Sequence, residues 1–246
     1  MGDRRSMKTE TIINPLGGSG KTTTTLALGK GLCEKGYKVL LVDLGFDRTL
    51  TYMVSGMMGI DFRKLSISLC DVFRGNATIA QAIHSMKPGL DIVVGGLELG
   101  EADAIFSQPD KECMLREQLE QIQAMYDYCI IDTDSHFNLM TANALAASDS
   151  VIIPLPDYNY IEGALTGVKE VIDHVAKDFN PKLEIGGLLV VSPYTTFSQA
   201  SLLQIEGMAK EMGTKVFRTK IHFLLRDMEI MTHDYRDFVN EFLEQS

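Results

Sequence analysis

The chain has 246 residues, 45% of them hydrophobic, and a formal net charge of −10. That length supplies one sizeable core and favours one large α/β domain over two small ones. The acidity argues against a surface that coats nucleic acid broadly, and no apolar run is long enough to span a bilayer, so a cytoplasmic protein without a membrane anchor is expected.

Residues 1–8 read as a leader or cloning remnant, because 1–6 are polar and precede a second methionine, Met7; residues 9–246 read as a single domain. A β-type run at 10–13 leads into Gly17-Gly18-Ser19-Gly20-Lys21-Thr22-Thr23, and a helical pattern follows over 21–34, ended by Gly36. Apolar runs of strand length recur at 38–43, 90–94, 128–132, 150–154, 183–192 and 216–221. Such continuous runs imply strands buried on both faces, hence a parallel sheet covered by helices. Between them, 111–126 places Met114, Leu115, Leu119, Ile122 and Met125 on one helical face, and 162–178 does the same with Leu165, Val168, Ile172 and Val175 before Asn180-Pro181 closes it. The alternation predicts a doubly wound α/β fold of the P-loop NTPase type: a mostly parallel sheet with helices on both faces, and a ligand site at the carboxyl ends of the strands. Cys33, Cys70, Cys113 and Cys129 form no CxxC pair, and the five histidines show no metal-ligand spacing, so buried free thiols are expected rather than a disulfide or metal framework. His84, His174 and His233 read as surface or structural.

The glycine-rich turn carries the chemistry. A loop of this kind feeding a helix N-terminus aims backbone N–H donors at one point, and the helix dipole adds partial positive charge there. Gly17, Gly18, Ser19, Gly20, Lys21, Thr22 and Thr23 are therefore the candidate phosphate-binding residues. Lys21 is of a length to reach terminal phosphates, and the Thr22 hydroxyl is placed to hold Mg²⁺. Asp43 and Asp132 each end an apolar strand, where an acid facing a phosphate loop holds a metal directly or through water; Thr22, Asp43 and Asp132 form the candidate Mg²⁺ set. The plainer alternative is a strand-end aspartate capping the next turn.

With these residues in view, the run from Ile12 to Thr51 resembles the deviant Walker ATPases of the ParA/Soj/MinD group, in which a lysine precedes Gly-Gly-x-Gly-Lys-Thr-Thr and Asp-x-Asp-Pro-Gln follows the second strand. Leu16-Gly-Gly-Ser-Gly-Lys-Thr-Thr and Asp43-Leu-Gly-Phe-Asp-Arg-Thr-Leu-Thr51 are the matching segments here. Tyr126 to Thr133 is similar to the family's Walker B strand, and Leu139 to Pro154 to its next helix and strand. Glu162-Gly163, Asn180 to Gly187 and Lys215 to Thr219 extend the likeness, which is closer to ParA than to MinD because the acidic stretch 234–246 lacks a basic amphipathic helix. The resemblance implies ATP or ADP with Mg²⁺ as ligand, a homodimer, and non-specific DNA contact. Lys215, Arg218, Lys220 and Arg226 are the candidate basic patch, with a solvated charged face the plainer reading.

The departures from that pattern gather at one pocket. The family's signature lysine is Leu16, and the second aspartate is Gly45; Phe46-Asp47 replace Pro-Gln, and Asp134-Ser135-His136-Phe137 replace the segment after Walker B. Val191 to Tyr194 and the stretch from Ile221 through Phe223 and Leu224 to Arg226 also differ. Leu16, Gly45, Phe46, Asp47, Asp134, Ser135, Phe137, Tyr194 and Phe223 thus define an altered pocket. New acids repel a triphosphate and apolar groups suit a small organic ligand. Three functions follow from the sequence: a ParA-like, partition-type ATP-binding protein with impaired hydrolysis; the same scaffold with a pocket reshaped, by nature or by design, to bind or convert a non-nucleotide molecule in the cleft; and a non-catalytic pseudo-ATPase that acts through interaction alone, in which case no cofactor is bound. Catalytic residues stay unassigned, with Ser19, Ser135, His136 and His222 as candidates for a nucleophile–base arrangement near Asp47 and Asp134.

Overall fold

The computed structural model describes residues 6–58, 61, 67–106, 111–156, 161–192, 198–222 and 228–245. Tyr194, Phe223, Leu224 and Arg226, singled out above, lie outside them. Among the described residues, eight strands form one sheet: β1 Lys8–Ile12, β2 Val39–Asp43, β3 Ile83–Lys87, β4 Leu90–Val93, β5 Tyr128–Asp132, β6 Ser150–Pro156, β7 Glu184–Ser192 and β8 Ile221–His222. Their spatial order is β3-β4-β2-β5-β1-β6-β7-β8, and every pairing is parallel except β3–β4. The helices are α1 Lys21–Glu34, α2 Thr49–Met58, α3 Leu69–Phe73, α4 Ala102–Ile105, α5 Met114–Glu120, α6 Leu139–Ala146, α7 Ile161–Asp178, α8 Gln199–Glu211 and α9 Met228–Gln245.

The expected doubly wound α/β architecture is what forms, and the period-two alternation of the strands shows why. In β2, Leu40 and Val42 pack on one face with residues of α3, α5 and α6, while Val39 and Leu41 pack on the other with residues of α1, α2 and α9. β5 divides the same way, Cys129 and Ile131 against Tyr128 and Ile130. Farther along the sheet, Val151, Ile153, Leu188 and Val190 meet the α7 stripe of Leu165, Val168, Ile172 and Val175. β2, β5 and β6 bury both faces, so their sequences read as continuous apolar runs.

Two sequence expectations change, and one strand is added. The strand expected over 216–221 is reduced to a bridge between Leu188 and Val216 and the two-residue β8. The N–H groups of Arg218 and Thr219 instead donate to the Glu241 carboxylate of α9, both at 2.8 Å, which withdraws them from the sheet. The helix expected over 111–126 is a 3₁₀ turn, Lys111–Cys113, followed by α5. After Glu120 the chain tightens into i→i−3 bonds, including Ile122 N–H to Leu119 O, and Met125 is left 48% exposed. The added strand is the antiparallel edge strand β3 (IHSMK), which gives no strand signal in the sequence because its burial follows no clean alternation.

Close backbone approach sets the carboxyl ends of β2 and β4. A Cβ on Gly95 would lie 2.8 Å from the Asp43 carbonyl oxygen and 3.1 Å from that of Gly45. Gly95→Ala is therefore expected to cost about 1–3 kcal/mol in urea unfolding. Gly56→Ala, on α2 with open space around the added carbon, is expected to be neutral or stabilising by up to about 1 kcal/mol.

Candidate functional site

The glycine-rich turn leaves the buried end of β1 under tight control. The Asn14 side chain accepts the Leu16 N–H (2.8 Å) and donates to Pro154 O (2.6 Å), tying the loop's entry to β6. Gly18 (φ 72°) and Gly20 (φ 89°) adopt left-handed conformations that a side chain would strain. Added carbons at Gly17 and Gly18 would point into open space, whereas one at Gly20 would sit 3.3 Å from Val191 of β7. The loop thus forms a cradle open on one side and braced on the other. The buried Ser19 Oγ has no hydrogen-bond partner, and no backbone hydrogen bond among the described residues is donated by the N–H groups of residues 18–22. Those unsatisfied donors stand at the N-terminus of a 14-residue helix, the arrangement that accepts an anion.

Lys21 lies across the loop. Its Nζ donates to Leu16 O (3.2 Å) and to Ser135 Oγ (2.9 Å), on the segment after β5. Burial pushes its pKa down, while the charges of Asp132, Asp134 and Asp47 push it back up. Behind it, the Thr22 hydroxyl donates to Asp132 Oδ2 at 2.8 Å and the Thr25 hydroxyl to Oδ1 at 3.2 Å. Thr25 lies outside the loop motif that marks Thr22, but it follows Thr22 by three positions and so shares its helix face.

Asp43 stands beside Asp132 in the β2–β5 register. Its Oδ1 accepts the Gly45 N–H (3.0 Å), and its Oδ2 accepts the Thr51 N–H (2.9 Å) and hydroxyl (2.6 Å). Those bonds make Asp43 a brace for the start of α2 as well as a member of the acidic pair. Burial lifts Asp132 to about 8, with repulsion from Asp43 adding to it against the hydrogen bonds of Thr22 and Thr25. Burial likewise lifts Asp43 to about 6, against the bonds from Thr51 and Gly45.

The candidate nucleophiles and bases do not assemble into a triad. Ser135 is bonded to Lys21, and His136, its side chain 72% exposed, meets the Phe46 ring at 5.9 Å. Asp134 accepts the His136 backbone N–H at 2.6 Å, and burial raises its pKa. His222 Nδ1 pairs with Asp234 of α9 at 2.8 Å rather than with Asp47 or Asp134. Asp47 accepts the Thr49 N–H at 3.1 Å, an Asx turn that starts α2. Phe46 and Phe137 are exposed, and Leu16 is half-buried with no charge to offer the cradle. In the candidate basic patch, Arg218 is held by Glu241 (3.4 Å) and Glu244 (2.7 Å), and Lys215 stacks over Phe217.

The strand–loop–helix with its buried lysine and strand-end acids defines a P-loop α/β protein. A family model described as an AAA domain matches residues 7–185. Over 211 residues the chain is 33% identical to the chromosome partitioning protein ParA of Caulobacter vibrioides, covering 84% of this chain and 77% of that protein. Over 227 residues it is 32% identical to the sporulation initiation inhibitor protein Soj of Bacillus subtilis, covering 90% and 87%. The chain therefore belongs to the ParA-like family of AAA-domain P-loop proteins. Among solved structures it superimposes on cobyrinic acid a,c-diamide synthase from Mycobacterium smegmatis, with bound ADP and magnesium, at a TM-score of 0.85, 27% identity and coverage of 97% and 94% of the two chains. A plasmid partition protein from Borrelia burgdorferi shares the fold at a TM-score of 0.77 and 24% identity, with coverage of 98% and 100%.

A raised carboxyl pKa means that proton binding favours the folded state. The stability Asp132 contributes is thus complete below its ordinary value of 3.8 and is lost as pH rises through about 8. In metal-free buffer, Asp132→Asn is expected to melt above the parent at about pH 8.5, with the difference shrinking toward pH 5. Circular-dichroism melts across that range check this; a difference that grows on acidification would contradict it.

Proposed function

We propose that the protein binds ATP with Mg²⁺ in the manner of a ParA-like partition protein and hydrolyses it slowly. The observation that carries this reading is the set of unsatisfied donors at the loop: Ser19 Oγ and the N–H groups of residues 18–22, facing an open cradle spanned by Lys21. These donors fit a chain of phosphates. Thr22 and Asp132 are the residues to hold Mg²⁺, with Asp43 beside them as a buried outer carboxylate. When bound, Mg²⁺ supplies positive charge that neutralises the phosphates. The bound ADP and magnesium of the Mycobacterium smegmatis neighbour support the choice of ligand.

Each residue has a physical task in this reading. Lys21 exchanges Leu16 O and Ser135 Oγ for phosphate oxygens, its charge kept by the surrounding acids. The glycines let the backbone approach closely, and at Gly20 an added Cβ would stand 3.3 Å from Val191. Slow turnover follows from Leu16, which brings no cation, and from Gly45, which brings no carboxylate. Restoring that carboxylate meets resistance, because a Cβ at Gly45 would lie 3.1 Å from Asp47 Oδ1 and 3.3 Å from Asp43 Oδ1. A dimer and DNA contact form part of the same proposal, with the DNA surface narrowed to Lys215 and Lys220 among the described residues once Arg218 is paired.

A second reading rests on the rim. The Phe46–His136 ring pair, the exposed Phe137 and the acid Asp134 suit a small amphipathic molecule better than a triphosphate. Calorimetric titration with Mg²⁺–ATP separates the two. The parent is expected to bind saturably, and Lys21→Ala to weaken binding about tenfold or more through loss of a charge-assisted hydrogen bond. Heat regained only in Leu16→Lys/Gly45→Asp favours the reshaped pocket, and no heat from either protein favours the pseudo-ATPase.

A further inference from the structure

Behind the phosphate loop, α1, α2 and α9 enclose a groove of about 450 Å³. Its lining is mostly apolar: Leu26 on α1, Val239 on α9, and Met53 and Met57 on α2. Met57 is 57% exposed, a long flexible side chain left in water at the lip. Unbranched methionines adapt to varied apolar partners, and surfaces built from them serve as docking sites.

The rim has the opposite character to the rest of the chain. Lys30, Lys35 and Arg236 border the groove with one acid, Glu34, although the protein as a whole carries a net charge of −10. Among the described residues, none of the three cations makes an ion pair with a carboxylate. Arg218, in contrast, on the far side of α9, is held by Glu241 and Glu244. An apolar trough edged by unpaired cations complements an amphipathic segment whose polar face is acidic. Duplex DNA would match the cations but leave the methionines without a partner.

We infer that this groove docks an acidic amphipathic segment of a partner protein, with its apolar residues on Leu26, Met53 and Met57 and its carboxylates on Lys30, Lys35 and Arg236. The site is joined to the phosphate loop by the helix they share. Thr23 lies at one end of the groove, and Tyr235 on its wall hydrogen-bonds the buried Thr24 hydroxyl at 2.9 Å. The docking itself requires no nucleotide.

The test is a selection of displayed random 16-residue peptides on the full chain without nucleotide, followed by fluorescence anisotropy of the most enriched peptide, fluorescein-labelled. The expected result is peptides with Leu, Phe or Met at helical spacing and net negative charge. Binding should weaken at least about tenfold in Lys30→Glu/Arg236→Glu, as expected for lost charge pairs at a docking site, and should be unchanged in Lys182→Glu. Thermal melts establish that both variants fold; should the double variant not fold, Met57→Glu, at an exposed position, replaces it with the same expectation. The proposal is overturned if no peptide is enriched, if the enriched peptides are neutral or basic, or if binding survives in the folded groove variants. It is equally overturned if duplex DNA or phosphatidylglycerol vesicles, rather than peptides, bind in a Lys30- and Arg236-dependent way. Because nucleotide is left out, the outcome is independent of whether ATP binds the loop.

Discussion

The parallel register between β2 and β5 sets Asp43 directly beside Asp132, and much of the surrounding structure exists to hold those two buried carboxylates at the ends of adjacent strands. Two like charges in a low-dielectric setting repel, and burial already penalises each of them. Hydrogen bonds offset that cost on both sides. Thr51 and the Gly45 N–H engage Asp43, so α2 is docked to the sheet through the first acid. Thr22 and Thr25 engage Asp132, so α1 and the phosphate loop are docked through the second. Lys21 offsets part of the cost at Asp132, and its own burial lowers its pKa against the raising effect of Asp132, Asp134 and Asp47.

That arrangement shows how the loop is held with Leu16 and Ser135 beside it. Leu16 contributes its carbonyl oxygen rather than a charge, and Ser135 contributes a hydroxyl; together they hold the Lys21 ammonium across the open cradle. Asp47 is absorbed into the turn that begins α2, and Asp134 into the turn before α6. Asp47 and Asp134 therefore have local structural partners while still contributing negative potential at Lys21.

α9 ties the helix after the phosphate loop to the β8 edge of the sheet. Tyr235 bonds Thr24 on α1, Asp234 holds His222 at the end of β8, and Glu241 takes the N–H groups of Arg218 and Thr219. The last of these decides the shape of the sheet edge, since a carboxylate from a helix satisfies backbone donors that would otherwise extend β8. Phe238, Val239 and Phe242 on the same helix pack beneath α1 and β2. The helix that shapes one wall of the apolar groove is thus the one that secures the phosphate-loop helix from behind.

What was legible in the amino-acid sequence was whatever depends on neighbours along the chain. Continuous apolar runs identify β2, β5, β6 and β7, because strands buried on both faces need no alternation; the stripe of Leu165, Val168, Ile172 and Val175 identifies α7. The glycine spacing identifies the phosphate loop because left-handed backbone at Gly18 and Gly20 and close approach to Val191 admit no other residue easily. Only the tertiary structure decided which partner each polar group takes. That His222 faces Asp234, that Lys21 meets Ser135, and that β8 yields its hydrogen bonds to Glu241 are choices among groups separated by 12, 114 and 23 or fewer residues along the chain. The sequence by itself determined the fold class and the loop, because backbone conformation and burial periodicity are local properties. The pairing of side chains at the site was settled by packing, because a hydrogen bond goes to whichever group the folded chain brings within reach.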